Sequence, residues 1–161
     1  MTNVNSVVLS DLLASERISL DLQASDREAV LAELVALAPQ LAHDPEAKQT
    51  LLRALHEREQ LHSTGIGDQI ALPHARNALV GLVAQPLIVF GRHNAGIPYE
   101  SVDGLPAKLF FLVIAPTVTQ HLAILARLTR VLHDPKLRRG LLAATKPQQI
   151  ISLVREAEAA R

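Results

Sequence analysis

Residues 109–115 read LFFLVIA, a continuous apolar segment of strand length that ends at Pro116. A segment of this kind is typical of a strand buried on both faces at the centre of a sheet. Residues 117–120 (TVTQ) follow as a capping box, with a hydroxyl at the first position and an amide three residues later. Leucines then recur at helical spacing, at positions 122, 125, 128 and 132. A central strand that leads directly into a helix favours an α/β fold.

Shorter patterns predict further strands on the N-terminal side of this segment. Residues 17–22 alternate between polar and apolar side chains, which is the period of a half-buried strand. Residues 87–91 (LIVFG) indicate another strand, and residues 94–96 (NAG) are a turn signal before a short strand at 97–99. The last two patterns predict an antiparallel hairpin over residues 87–99.

Helical signals stand before, between and after these strands. Residues 25–28 (SDRE) form a capping box, and the apolar face behind it continues to Leu41. The Asp-Pro pair at 44–45 opens a second helix that runs to about residue 58 or 59. Two more helices are predicted near 135–144 and 146–159.

Residues 75–86 contain Asn, Gly and Pro and indicate a connector with little regular structure. Taken together, the patterns predict a single domain over residues 1–161. Its fold class is α/β, a three-layer α/β/α sandwich with a mixed sheet of about five strands.

The composition fits a chain with an aliphatic core. Hydrophobic residues make up 48% of the 161 residues and aromatic residues 2%, so Leu, Ile, Val and Ala must supply the core. The sequence has no cysteine, which excludes disulfides, thiolate zinc sites and a cysteine nucleophile. It shows neither a signal-peptide pattern at its start nor an apolar segment long enough to cross a bilayer. We therefore expect a soluble, cytoplasmic protein that does not insert into a membrane.

The charges are balanced overall but unevenly distributed. The formal net charge is zero, which argues against a nucleic-acid partner. Residues 1–68 carry 5 basic and 11 acidic groups, whereas residues 69–161 carry 11 basic and 5 acidic groups. We favour neutralisation of the two halves within one fold; the alternative is a basic docking face for an acidic protein.

The chemistry is expected in residues 62–74, which read HSTGIGDQIALPH. Two hydroxyls (Ser63 and Thr64) and two glycines (Gly65 and Gly67) allow a sharp turn whose amides could face an anion. Pro73 then gives a rigid, extended approach to His74. A histidine on a rigid lead, next to a glycine-rich loop, indicates a phosphoryl acceptor.

Phosphoryl transfer needs positive charge and hydrogen-bond donors around the acceptor. Arg58, at the expected end of a helix, is the candidate guanidinium; the alternative is a solvated charge at the helix end. Ser63 and Thr64 could donate to the phosphate or bond the backbone of their own loop. His121 follows the central strand and could donate to a phosphate on His74, or it could be a surface or capping residue.

Other chemistries have weak support in this sequence. A zinc site built from His62, His74 and His121 is supported by neither an HxH nor an HExxH spacing, and no G-x-S-x-G motif indicates a serine hydrolase. We expect neither a metal nor a cofactor.

Four segments together carry a resemblance to a known family: Arg58-Glu59, residues 63–67 (STGIG), residues 70–74 (IALPH) and residues 119–122 (TQHL). The chain resembles the IIA domain of the bacterial phosphoenolpyruvate-dependent phosphotransferase system, fructose/mannitol type. It is also similar to the nitrogen-regulatory IIA protein of that superfamily. The resemblance covers roughly residues 7 to 155.

The resemblance implies a phosphorylated histidine at His74, with Arg58 and His121 beside the phosphate and the Ser63–Gly67 loop shaping the pocket. It also implies a mixed sheet between helices and a phosphoryl donor that is a histidine-phosphorylated carrier of the HPr type. Gln69 stands where family members often have glycine, and His62 stands where they often have a small residue. These departures concern the rim of the pocket and the partner.

Two functions follow from the resemblance. The first is a nitrogen or metabolic regulator whose phosphorylation changes which target protein it binds. The second is a sugar-specific component that passes phosphate to a IIB domain during uptake. We favour the regulator, because residues 9–13, residues 17–18 and the first long helix resemble the nitrogen-regulatory branch. In either role the chain is a phosphotransferase component rather than a free-standing enzyme.

Overall fold

A mixed five-stranded sheet forms the middle of the computed structural model, which describes residues 7–76 and 82–160. The strands, in chain order, are β1 (Ile18–Ser19), β2 (Gly65–Gly67), β3 (Ile70–Ala71), β4 (Leu87–Ile97) and β5 (Ala107–Ile114). Their spatial order is β1-β4-β5-β3-β2. β1 is parallel to β4 and β3 is parallel to β5, while the other two pairs are antiparallel. The mixed sheet of about five strands and the central position of residues 109–115 are therefore confirmed.

Helices cover both faces of this sheet. The α-helices of the described residues are α1 (Arg27–Ala36), α2 (Pro45–Leu61), α3 (Val118–Val131), α4 (Pro135–Ala143) and α5 (Pro147–Ala159). Short 3-10 turns lie at Leu9–Leu12, Ser15–Arg17 and Pro39–Leu41. Across residues 7–76 and 82–160, no helix has the length and apolar character that spanning a membrane requires.

The alternation of side chains along β5 produces two separate cores. Leu109, Phe111 and Val113 point to one side, where they pack with apolar residues of α3, α4 and α5. Phe110 and Leu112 point to the other side, where they pack with apolar residues of α1 and α2. Because both faces of the strand are buried, its sequence is apolar at every position from 109 to 115. The predicted three-layer α/β/α sandwich is confirmed.

The helix starts follow side-chain caps. Asp44 caps α2 by accepting a hydrogen bond from the Ala47 amide at 3.0 Å, and Thr117 caps α3 by accepting from the Gln120 amide at 3.2 Å, as predicted. The predicted cap of α1 is wrong by one residue. Asp26, not Ser25, accepts from the Ala29 amide at 2.7 Å.

α1 is also shorter than its apolar pattern predicts. The helix ends at Ala36, and Pro39 begins a separate 3-10 turn after Ala38, which is extended at ψ 103°. A proline disfavours helical backbone at the residue before it, so the apolar face continues to Leu41 without a continuous helix. α2 extends two residues past the predicted end, to Leu61.

The hairpin predicted over residues 87–99 is wrong. β4 continues as one strand to Ile97 and pairs antiparallel with β5, from Leu87 opposite Ile114 to Arg92 opposite Leu109. Pairing resumes at Ile97 opposite Ala107, so residues 93–96 bulge out of the ladder. Gly96 has a positive φ of 89° within this bulge. The Asn-Ala-Gly signal therefore marks a bulge and not a reversal of the chain.

Two other sequence predictions need adjustment. Of the strand predicted over residues 17–22, Ile18–Ser19 forms β1. Arg17 belongs to the preceding 3-10 turn, and the chain bends at residues 20–21 before the Leu22 amide donates to the Arg92 carbonyl at 2.8 Å. The predicted connector at 75–86 is irregular at residues 75–76 and 82–86, and its middle part, 77–81, lies outside the described residues.

Candidate functional site

The sheet order brings His74 and His121 to the same edge of the molecule. β3 leads through Leu72 and Pro73 to His74, while the neighbouring parallel strand β5 leads to α3, which carries His121 in its first turn. The Val113 amide donates to the Pro73 carbonyl at 3.1 Å, which holds the lead to His74 against β5. Carboxyl ends of parallel strands meet at one edge, where α/β proteins bind ligands. The two imidazole centroids are 5.4 Å apart, with the rings tilted by 57°.

The glycine-rich segment before His74 forms a tight hairpin rather than an open loop. β2 and β3 are antiparallel and are joined by Asp68 and Gln69, which have φ values of 55° and 66°. Positive φ at both positions is the geometry of a two-residue hairpin turn. Gln69 occupies left-handed backbone that favours glycine, at a cost of about 1 kcal/mol. The glutamine at position 69, where family members often have glycine, therefore adds backbone strain to the hairpin turn.

A surface depression of about 350 Å³ lies in front of His74. Five of the predicted site residues line it: Arg58, Ser63, Thr64, Gly65 and His74. Its other lining residues are His62, Ile66, Leu72, Val102, Leu125 and Thr129. Gly67 is not part of this lining and lies against Asp103 and Val102. His121 is 4% exposed and contacts His74 from beneath the surface.

The His74 ring is fixed by one backbone hydrogen bond. Its Nδ1 lies 2.7 Å from the Leu72 carbonyl oxygen, and because a carbonyl can only accept, Nδ1 carries the proton. In the neutral ring this leaves the lone pair on Nε2. Burial lowers the pKa of His74 below its ordinary value of 6.5, and the Arg58 charge lowers it further, against the opposing effect of the Leu72 carbonyl. The site therefore holds a neutral imidazole near pH 7.

The second imidazole has an unused ring nitrogen. Nε2 of His121 is buried and has no hydrogen-bond partner among the described residues. Burial and the neighbouring His74 lower the pKa of His121, while a hydrogen bond with the Ala75 backbone opposes the change. A buried polar atom without a partner is costly, so its presence next to the His74 ring is consistent with a ligand group that arrives between them.

The remaining predicted groups form hydrogen bonds around the hairpin corner, which is residues 62–64 between the end of α2 and the start of β2. The Arg58 guanidinium donates to the His62 carbonyl. The Ser63 hydroxyl donates to the Tyr99 carbonyl, and the Thr64 hydroxyl donates to the Glu59 carboxylate. Gly65 is required by close approach, because a Cβ there would lie 2.2 Å from the Ser101 hydroxyl oxygen. The phosphate-binding role of these residues stays a prediction.

Sequence reasoning missed the buried polar residues behind the depression. Glu59 is 4% exposed and Tyr99 is 1% exposed, and the Tyr99 hydroxyl donates to the Glu59 carboxylate at 2.9 Å. Burial, with the Glu59 charge second, raises the pKa of Tyr99. One signal was available: Glu59 continues the four-residue spacing of Leu51 and Leu55 on the buried face of α2. A carboxylate at an apolar-face position indicates a specific buried partner.

The fold is that of phosphotransferase-system IIA proteins. Nitrogen regulatory protein IIA-Ntr from Neisseria meningitidis superposes with a TM-score of 0.80 at 24% identity, covering 92% of this chain and 99% of that one. The IIA mannitol protein of Escherichia coli, in a complex with phosphorylated IIB, superposes with a TM-score of 0.74 at 22% identity, covering 92% and 98%.

The sequence places the chain within this class. Residues 11–157 match the family described as "Phosphoenolpyruvate-dependent sugar phosphotransferase system, EIIA 2", and the chain belongs to that family. A nitrogen regulatory protein of Bradyrhizobium diazoefficiens is 32% identical over 91% of this chain and 94% of the relative. The fructose-specific EIIABC component of Bacillus subtilis is 35% identical over 92% of this chain, which spans 23% of that longer protein. The family predicted from the sequence is therefore confirmed.

Proposed function

We propose that His74 accepts a phosphoryl group on Nε2 from a histidine-phosphorylated carrier of the HPr type and later passes it on. The observation that carries the proposal is the tautomer: the Leu72 carbonyl holds the proton on Nδ1 and leaves the Nε2 lone pair as the nucleophile. The lowered pKa of His74 keeps this lone pair available near pH 7. Membership of the EIIA 2 family supports the same assignment.

The transfer step needs no other covalent participant. The bond between phosphorus and the donor's imidazole nitrogen breaks as the bond from phosphorus to Nε2 forms. The donor ring, protonated on its other nitrogen, leaves neutral. The His74 ring keeps its Nδ1 proton hydrogen-bonded to Leu72 and takes over the positive charge of the donor ring. Because phosphoryl transfer proceeds through a loose transition state, the surrounding protein contributes mainly position and charge.

In this proposal, Arg58 and His121 contribute charge and a hydrogen bond around the transferred phosphoryl group. The Arg58 guanidinium lines the depression and would stabilise the transferred oxygens. Nε2 of His121 would donate a hydrogen bond once the dianionic phosphate favours protonation of its ring. The Ser63 and Thr64 hydroxyls already donate within the protein, so in this proposal they shape the pocket through Tyr99 and Glu59.

The test is phosphorylation by a phosphorylated HPr-type carrier, followed by intact-mass measurement and identification of the modified residue. We expect one phosphoryl group on His74 and none on a His74→Ala variant. His133→Ala is the matched control, because His133 is exposed in the turn that follows α3 and should not affect labelling. Labelling of the His74→Ala variant would assign the acceptor to another histidine.

We further propose that the phosphorylated chain acts as a nitrogen or metabolic regulator, with cytoplasmic location as part of this proposal. Support comes from the nitrogen regulatory relative, which this chain covers almost completely. A sugar-specific role, with phosphate passed to a IIB domain, is supported by the fructose-specific relative. The mannitol IIA protein of Escherichia coli, which shares this fold, forms a complex with phosphorylated IIB.

A comparison of two phosphoryl donors distinguishes the regulatory role from the sugar-specific role. The kcat/KM for labelling is measured with a sugar-branch carrier and with a nitrogen-branch carrier, and the labelled chain is then offered to a IIB domain. Preference for the nitrogen-branch carrier without transfer to IIB supports the regulator. Efficient transfer to IIB would replace it with the sugar-specific role.

A further inference from the structure

The carboxylate of Glu59 is buried directly behind the candidate site. Oε1 accepts from the Thr64 amide at 2.9 Å, while Oε2 accepts from the Thr64 hydroxyl and from the Tyr99 hydroxyl at 2.9 Å. None of the ion pairs found among the described residues includes Glu59. A buried carboxylate without a cation is tolerated when several donors satisfy it, so these hydrogen bonds fix Thr64 tightly.

The Thr64 peptide connects this carboxylate to His74. The Thr64 carbonyl accepts from the Leu72 amide at 3.0 Å, and the Leu72 carbonyl accepts from Nδ1 of His74 at 2.7 Å. Three successive hydrogen bonds, through Thr64 and Leu72, therefore link Glu59 to the ring that carries the proposed nucleophile. If Thr64 moves, the Leu72 amide loses its partner, and the Leu72 carbonyl that orients the His74 ring is held only through the bond between Pro73 and Val113.

The same carboxylate also secures the corner that holds Arg58. Arg58 precedes Glu59 on α2 and donates to the His62 carbonyl, two residues before Thr64. On the other side of this corner, the Ser63 hydroxyl donates to the Tyr99 carbonyl, so Tyr99 is bonded to the corner through both its hydroxyl and its backbone. Residues 62–64 are thereby held between α2 and the segment after β4.

We infer that Glu59 is a positioning residue for phosphoryl transfer, which acts through Thr64 and Leu72 to fix the tautomer and direction of His74. Glu59 is not part of the lining of the depression, so it does not touch the phosphoryl group. The expected effect of Glu59 on the rate of phosphorylation rests on the proposed function, whereas its expected effect on the tautomer of His74 does not. The tautomer of His74 can be measured without any phosphoryl donor.

The experiment compares Glu59→Met, which removes the acceptors, with Glu59→Gln, which keeps the shape and one acceptor oxygen. We expect Glu59→Met to lower kcat for phosphorylation by about tenfold to about a hundredfold, because the alignment of the ring is lost. The KM for the donor should stay unchanged, because Glu59 does not line the depression. Glu59→Gln should give an intermediate rate. In nitrogen-15 NMR spectra, the Nδ1-protonated form of His74 should lose its dominance in the same order.

Glu158 provides the matched control. It is also a buried carboxylate with three donors, the amides of Leu9 and Ser10 and the Arg127 guanidinium, but it lies on α5. Glu158→Gln should lower stability and leave both kcat and the His74 tautomer unchanged. Wild-type rates and a wild-type tautomer in both Glu59 variants would overturn the inference. If the wild-type chain is not labelled at His74, the proposed function fails, and the NMR result alone decides the positioning role.

Discussion

Gly65→Ala is the substitution whose effect the structure specifies most fully. A Cβ at Gly65 would lie 2.2 Å from the Ser101 hydroxyl oxygen, 3.0 Å from the Ser101 Cβ and 3.1 Å from its Cα. Rotation of the serine side chain relieves the first contact only, because the last involves backbone. The Val102 amide also donates to the Gly65 carbonyl at 3.3 Å, so the two segments cannot separate without losing this bond.

The magnitude follows from the cost of an added methyl group in a packed region. Overpacking of this kind costs about 1–3 kcal/mol in the free energy of unfolding. For a domain of this size each kcal/mol shifts Tm by about 2–4 °C, so we expect a decrease of about 2–12 °C. Since Gly65 lines the depression next to Thr64, phosphorylation of His74 should slow as well.

Urea denaturation of Gly65→Ala, Ser101→Gly and the double variant measures the effect and its cause. Ser101→Gly removes two of the three contacts with the added Cβ. The double variant should therefore recover at least half of the unfolding free energy that Gly65→Ala loses, and a double-mutant cycle measures this recovery as a coupling free energy. Gly104→Ala is the control: nothing lies within 4 Å of its Cβ position, and its φ of 75° gives strain that Ser101→Gly cannot relieve. A Gly65→Ala variant as stable as wild type, or an absence of coupling, would refute the steric explanation.

Three further outcomes are expected. Because burial lowers the pKa of His74 and His121 below 6.5, the unfolded state binds more protons just below that pH, and the free energy of unfolding should fall as the pH drops through this range. Urea titrations at about pH 7.5 and about pH 5.5 check the sign, and the decrease should be smaller in His121→Gln; equal stability at both values would contradict it. Arg58→Ala should slow phosphorylation about 100-fold with little change in urea stability, whereas an unchanged rate would remove Arg58 from the site. Gln69→Gly should raise the free energy of unfolding by up to about 1 kcal/mol by relieving left-handed backbone, and a lower value would show that the side chain contributes more than the strain costs.

Much of the fold could be predicted because local and tertiary preferences agree. The segment 109–115 is apolar at every position, and burial on both faces of a central strand requires this pattern. Asp44 and Thr117 mark helix starts because their side chains satisfy free amides whatever the surroundings. The bulge in β4 was missed because Gly96 supplies a positive φ both in turns and in bulges, and the pairing with β5 decides between them.

The residues of the candidate site could be chosen from the sequence, but the hydrogen bonds between them could not. His74, Arg58 and His121 could be chosen from the sequence, because their types and neighbours suit phosphoryl transfer, and the structure brings all three together. The proton on Nδ1 of His74 depends on the direction of one carbonyl, which no residue pattern encodes. The pairing of Glu59 with Tyr99 joins residues 40 positions apart, so only the folded chain reveals it.

The hydrogen bonds from the Leu9 and Ser10 amides to the Glu158 carboxylate have a consequence for biosynthesis. They join residues 149 and 148 positions apart, so the N-terminal turn has no carboxylate to bind until α5 has left the ribosome. Contacts of such long sequence separation form late, after loops of nearly the whole chain have closed. The turn at Leu9–Leu12 is therefore among the last described parts of this protein to dock, and a nascent chain stalled before α5 would leave that turn accessible to proteases.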